Sequence, residues 1–228
     1  MTDPTPPAVV PFGSRLRTAT AARGPLCVGV DPHAALLTSW GLTDDVAGLE
    51  RFCAAITASL GEHVAVFKPQ SAFFERFGSR GVAVLERTVA ELRAAGALVL
   101  LDIKRGDIGS TMGAYASAYL DPASPLYADA VTLSPYLGYE SLRPALDLAR
   151  ASGAGVFVLA RTSNAEGGQV QRARGEDGRP VAATMLAALA AENAATTPAG
   201  EPGSFGAVVG ATVGAEGVGE GVGEAPPA

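Results

Sequence analysis

Residues 97–111 read ALVLLDIKRGDIGST: five apolar residues, then Asp102, Ile103 and Lys104, then a polar, glycine-containing loop. A nearly all-apolar run that finishes on polar groups is the pattern of a parallel strand covered on both faces, with its functional side chains at the C-terminal end. Five more stretches repeat it: Leu26 to Asp31 (LCVGVD), Val64 to Lys68 (VAVFK), Ala130 to Ser134 (AVTLS), Gly155 to Arg161 (GVFVLAR) and Gly206 to Thr212 (GAVVGAT). Helical periodicity fills the gaps. Leu49, Phe52, Cys53, Ile56 and Leu60 recur at helical spacing before Gly61, and Leu85, Val89 and Leu92 do the same before Gly96. Glu86, Arg87, Glu91 and Arg93 supply the solvent face of the second helix.

The polar strand ends at 31, 68, 102, 134 and 161 are spaced by 37, 34, 32 and 27 residues, each about one strand, one helix and two loops. A uniform βαβ series of this kind builds a (β/α)8 TIM barrel or a doubly wound sheet. The barrel is favoured because all the polar strand ends then converge on one mouth, and because no strand leads into a Gly-rich dinucleotide-binding loop. The expected fold class is therefore α/β of the TIM-barrel type, incomplete, with about six βα units. Residues 1–24 read as an N-terminal extension, 25–212 as the barrel, and 213–228, with its GVGEGVGE motif, as a Gly/Glu-rich disordered tail.

Composition narrows the function. With 228 residues and 48% hydrophobic content, and a mean hydropathy of +0.23, the chain can bury a sizeable core. The net charge of −6 comes without a basic block, so neither nucleic acid nor an acidic membrane is an expected partner. No window approaches the roughly 18 apolar residues of a membrane span, and MTDPTPPAVV lacks a basic-then-apolar leader, which points to the cytoplasm. Cys27 and Cys53 sit in apolar surroundings without metal-ligand spacing and read as buried reduced thiols. Of 17 basic residues only Lys68 and Lys104 are lysine. An ammonium can give up and recover a proton where a guanidinium stays charged, so two lysines kept among arginines hint at proton chemistry.

The sharpest constellation is Asp102, Lys104 and Asp107. Residues two apart in a strand point to the same side, so Asp102 and Lys104 face the barrel interior while Ile103 packs outward. Lys68 ends the neighbouring strand, and the four together would form an alternating cluster of zero net charge. On spacing alone, D-x-K-x-x-D fits an ion-pair network closing the barrel top as well as it fits a catalytic site. His33 reads as a hydrogen-bonded loop residue and His63 as a structural one at the opposite end of the barrel.

Five ordered motifs carry a resemblance: VGVDPH at 28–33, VFKPQSAFFE at 66–75, LLDIKRGDIGSTMGAYA at 100–116, LSPYLGYESLRP at 133–144 and VLARTSNAEGGQVQ at 158–171. Together they resemble the orotidine 5′-phosphate decarboxylase family, in particular its bacterial type 2 branch, over about residues 24–213. The resemblance implies decarboxylation of orotidine 5′-monophosphate to uridine 5′-monophosphate, without cofactor or metal, in a homodimer of barrels serving pyrimidine biosynthesis. It implies that Lys104 protonates C6, that Asp102 sits beside the substrate carboxylate, and that Lys68 bridges the ribose and the aspartates. By the same resemblance Asp107 and Thr111 reach into the partner's site, Asp31 takes a ribose hydroxyl, and Ser134 contacts the pyrimidine edge. The polar segment SNAEGGQVQ suits a lid over the site, with Ala165 where family members often carry proline.

The chain departs from the family after the sixth strand. The family continues with a seventh strand into a Gly-rich loop and an eighth strand followed by an arginine, which together grip the substrate phosphate. The 16 residues after Thr212 have no room for them, so the resemblance predicts damaged turnover and exposed strand edges, as in a truncated or frameshifted reading frame. The alternative function is a catalytically impaired remnant or an assembly subunit on the same fold. A further enzymatic reading comes from aldolase-like and decarboxylase relatives that share the D-x-K-x-x-D strand and generally use magnesium.

Overall fold

The computed structural model describes residues 9–213. In chain order these form α1 (Phe12–Arg23), β1 (Cys27–Val30), α2 (Ala34–Ser39), α3 (Val46–Leu60), β2 (Val66–Pro69), α4 (Ala72–Glu75), α5 (Gly78–Ala94) and β3 (Leu98–Arg105). There follow α6 (Gly109–Leu120), β4 (Ala130–Leu133), α7 (Arg143–Ser152), β5 (Gly155–Arg161), α8 (Gly168–Gln171), α9 (Val181–Thr196) and β6 (Phe205–Val209). The six strands pair in sequence order β1-β2-β3-β4-β5-β6, every pair parallel. Each expected strand is present with its ends displaced by no more than a few residues.

The helices form where the apolar stripes dictate. Leu49, Phe52, Cys53 and Ile56 of α3 are buried against the sheet, and Asp45 caps the helix by accepting the Gly48 N–H at 2.8 Å. Val84, Leu85, Val89 and Leu92 bury the matching face of α5. These side chains join outward-facing strand residues such as Phe67, Val99, Leu101 and Val131 in one large core between sheet and helices.

A second, smaller core shows that the sheet curls. Val66, Leu98, Ala130 and Phe157, from four successive strands, gather with Phe12 around a common centre, with Phe12 and Phe157 edge-to-face at 6.0 Å. Six strands thus make a curled part-barrel whose N-terminal end is closed by α1. That helix lies within the stretch expected as an extension, and it is tied down from both ends. Arg15 donates to Asp129 at 2.5 Å and to the Gly153 carbonyl at 2.8 Å, while Arg23 donates to the carbonyls of Gly61, Val64 and Ala95.

Two expectations meet their limits here. Residues 214–228 of the Gly/Glu-rich tail, like residues 1–8, lie outside the described residues. Cys53 is buried as expected, and burial pushes its thiol up to about 11. Cys27 is exposed, because it opens β1, which among the described residues is an edge strand paired with β2 alone. No described helix is long and apolar enough to cross a membrane.

Candidate active site

β3 does not run straight. Leu101 pairs with Val131 and Arg105 with Leu133, so four steps along β3 match two along β4. The surplus is absorbed at Lys104, whose φ of +47° makes it the sole non-glycine residue in the left-handed region among the described residues. A β-bulge re-aims side chains in this way. Gly106 completes the detour: a Cβ there would lie 2.3 Å from the Ser134 carbonyl oxygen, so the chain passes only with glycine.

Asp102, on the strand side of the bulge, is buried, and its carboxylate is fully engaged. Oδ1 accepts from Lys104 Nζ at 2.6 Å and from Thr132 Oγ1 at 2.7 Å, and Oδ2 accepts from Lys68 Nζ at 3.1 Å. Burial pushes this carboxyl up, but the hydrogen bonds from Lys104 and Thr132 and the charge of Lys68 outweigh it, leaving the group below the usual carboxylate range. Both lysines are partly exposed, so the ammonium groups open to the mouth while their shared acceptor stays dry.

The expected four-membered cluster is a triad within one chain. Lys68, Asp102 and Lys104 meet; Asp107, just past the bulge, accepts the Ile108 N–H at 2.8 Å and joins no ion pair among the described residues. Two ammonium groups against one carboxylate leave one positive charge in excess, in place of the neutral set expected. Thr111 lies exposed on the first turn of α6. Asp31 follows β1 at the same end of the sheet, and its Oδ1 is buried without a hydrogen-bond partner.

Beside the triad lies a cavity of about 730 Å³, lined among others by Lys104, Ser134, Leu159, Thr162, Asn164 and Gln171. Ser134 is held there by its N–H, which donates to the Arg105 carbonyl at 2.7 Å. The segment expected as a lid is an ordered turn followed by α8. Gln171 Oε1 accepts the Thr162 N–H at 3.0 Å, and Gln171 Nε2 donates to Thr162 Oγ1 at 2.7 Å, fastening the segment to the end of β5. Neither histidine joins the triad or the cavity lining. His33 is exposed with its ring 4.1 Å from that of Phe73, and His63 is exposed in the turn before β2.

Two site residues escaped the sequence reading. Gln70 Oε1 accepts from Lys104 Nζ at 3.4 Å, and its Nε2 approaches the Asp102 carbonyl at 3.4 Å. Thr132 holds Asp102 and also accepts the N–H groups of Ile103 at 3.1 Å and Lys104 at 3.0 Å. Strand parity was available for both, since Gln70 is two residues beyond Lys68 and Thr132 two before Ser134.

Comparison with known proteins bears on this geometry. The family model for orotidine 5′-phosphate decarboxylase / HUMPS matches residues 24–224. An orotidine 5′-phosphate decarboxylase of Streptomyces coelicolor is 70% identical over 183 residues, which cover 80% of this chain and 66% of that protein. This chain thus spans just under two thirds of the length of that curated relative. A crystal structure from Streptomyces avermitilis, assigned to the same activity, superposes with a TM-score of 0.88 at 72% identity, covering 91% of this chain and 72% of the other. The OMP decarboxylase of Leishmania donovani superposes with a TM-score of 0.70 at 33% identity, over 89% of this chain and 72% of that one.

Proposed function

This chain belongs to the orotidine 5′-phosphate decarboxylase / HUMPS family, and we propose that it decarboxylates orotidine 5′-monophosphate to uridine 5′-monophosphate without a cofactor. The observation that carries the proposal is the seating of two lysine ammonium groups on one buried carboxylate, with Lys104 also on the wall of the cavity.

The chemistry asks for this arrangement. Breaking the C6–carboxylate bond releases carbon dioxide and leaves the bonding pair on C6, a vinyl carbanion with no adjacent electron sink. A fixed cation aimed at C6 stabilises that charge as it develops, and an ammonium also carries the proton that replaces carbon dioxide. Lys104 takes both roles in this reading: its Nζ proton goes to C6, and the free amine is reprotonated from water. Asp102, beside the leaving carboxylate, holds both ammonium groups in place and raises the ground state, the cation carrying the larger share. Lys68 reaches the ribose, Asp31 at the end of β1 accepts a ribose hydroxyl, and Ser134, on the cavity wall, meets the pyrimidine edge.

A homodimer completes the reading. Asp107, out of contact with its own triad, reaches with Thr111 into the partner's site, and the exposed Ile108, Tyr136 and Leu137 near the mouth supply apolar surface for that contact. The enzyme is of the type 2 bacterial branch and works in the cytoplasm. The test is ligand protection: product at 100 times its Kd stabilises the fold by about 2.7 kcal/mol. Uridine monophosphate should raise the melting temperature in a saturable way, with no requirement for magnesium. Absence of protection at millimolar product overturns the reading, and strict magnesium dependence of turnover would favour the aldolase-like relatives instead.

A further inference from the structure

Thr132 touches Asp102 and Lys104 without being among the residues that line the cavity. Its side chain is buried, yet its one hydroxyl makes three hydrogen bonds. Oγ1 accepts the backbone N–H groups of Ile103 and Lys104 and donates its own proton to Asp102 Oδ1. These two N–H groups lie inside the bulge, between Leu101 and Arg105, where the regular pairing of β3 with β4 is interrupted. A hydroxyl on β4 therefore takes over the work of two ladder acceptors.

The same three bonds determine where the ammonium groups go. Lys104 is held in a left-handed conformation that a side chain with a Cβ adopts only when its surroundings over-determine it. Asp102 is left with a single carboxylate orientation, because Thr132 and Lys104 share Oδ1 and Lys68 takes Oδ2.

We propose that Thr132 is a positioning residue that holds the Lys104 backbone in its left-handed turn and fixes the Asp102 carboxylate, so that both lysines converge on one acceptor. Its effect on turnover rests on the decarboxylase reading, whereas its effect on the geometry does not. Serine keeps the hydroxyl and can do the same work. Valine keeps the shape, strands the buried Ile103 N–H and the half-buried Lys104 N–H, and frees the carboxylate.

The test uses the full 228-residue chain with Thr132→Val and Thr132→Ser. Because Lys68 and Lys104 are the two lysines of the chain, 15N-lysine labelling yields two backbone amide signals. In the parent and in the serine variant the Lys104 amide should exchange slowly with solvent, and in the valine variant at least 10-fold faster. The groups facing the Asp102 carboxyl are Lys104 on its own strand, Lys68 from β2 and Thr132 from β4, so loss of the Thr132 donor leaves the two lysines. Its 13C titration should accordingly move to higher pH in the valine variant alone. With orotidine 5′-monophosphate, the valine variant should lose roughly 10- to 100-fold in kcat with little change in KM, the acid limb of the pH profile shifting upward, and serine should restore most of the loss. Unchanged Lys104 exchange and Asp102 titration in the valine variant overturn the proposal. If the parent does not turn over while both magnetic resonance readings respond to valine and not to serine, the decarboxylase reading fails and the positioning role stands. Should the valine variant fail to fold, Thr132→Ala provides the same two readings.

Discussion

Replacing Asp102 with Asn tests the physical heart of the site without changing its shape. The carboxylate accepts from three donors, Lys104, Thr132 and Lys68, but an amide offers one oxygen and turns two N–H groups toward its neighbours. Whichever way it flips, at least one ammonium loses its acceptor and faces another donor. A hydrogen bond to a charged group contributes roughly 1.5–3 kcal/mol when dry. Side-chain exposures of 30% for Lys68 and 41% for Lys104 let water recover part of that, so the net cost near pH 7 comes to about 2 kcal/mol. For a chain of this size that corresponds to a fall in melting temperature of roughly 4–8 °C.

The pH dependence has a definite sign. The folded-state carboxyl lies below its ordinary value despite burial, so its interactions outweigh the cost of desolvation. Its stabilising contribution is complete above the unfolded value of about 4 and is lost as pH falls through the lower folded value. Urea unfolding of the parent and of Asp102→Asn, followed by circular dichroism between pH 7 and pH 3, should show a gap that is constant near neutrality and narrows below pH 4. A gap that persists unchanged into acid, or an Asn variant as stable as the parent at pH 7, would refute the claim that this carboxylate is held ionised by its two lysines.

Two other substitutions probe the scaffold beneath the site. Asp129→Ala removes a buried carboxylate that accepts from Arg15 and the Val99 N–H and pairs with the charge of Arg93, and should cost about 2–3 kcal/mol by denaturant titration, since the two arginines are only partly screened. Gly155→Ala places a methyl 2.5 Å from the ring of Phe12, which is pinned at the base of the part-barrel; the expected loss is about 1–3 kcal/mol, and a neutral effect would mean that α1 does not seal that end.

Strand order and the main charged residues were legible because both follow from simple periodicities. An apolar run bounded by turns marks a buried strand, and parity two put Asp102 and Lys104 on one face. The neutral quartet also needed Asp107, which parity does not place, and within one chain only three of the four meet. The bulge at Lys104 breaks the strict alternation, and Asp107 beyond it turns to its own backbone. Nothing in the composition of ALVLLDIKRGD announces a two-residue register shift, inside which the Lys104 N–H is taken up by a hydroxyl 28 residues farther along, at Thr132. The helix over residues 12–23 was missed for a different reason. Its sequence FGSRLRTATAAR lacks an apolar stripe, and it is fixed instead by Phe12 and by arginines reaching carbonyls and a carboxylate on distant strands and turns.

The most direct test of the central claim is the formation of uridine 5′-monophosphate from orotidine 5′-monophosphate by the parent chain and by Lys104→Ala, both first shown to be folded. The expected result is turnover by the parent and none above background for the alanine variant. Comparable product from both would remove the Lys104 ammonium from the reaction and contradict the role assigned to it.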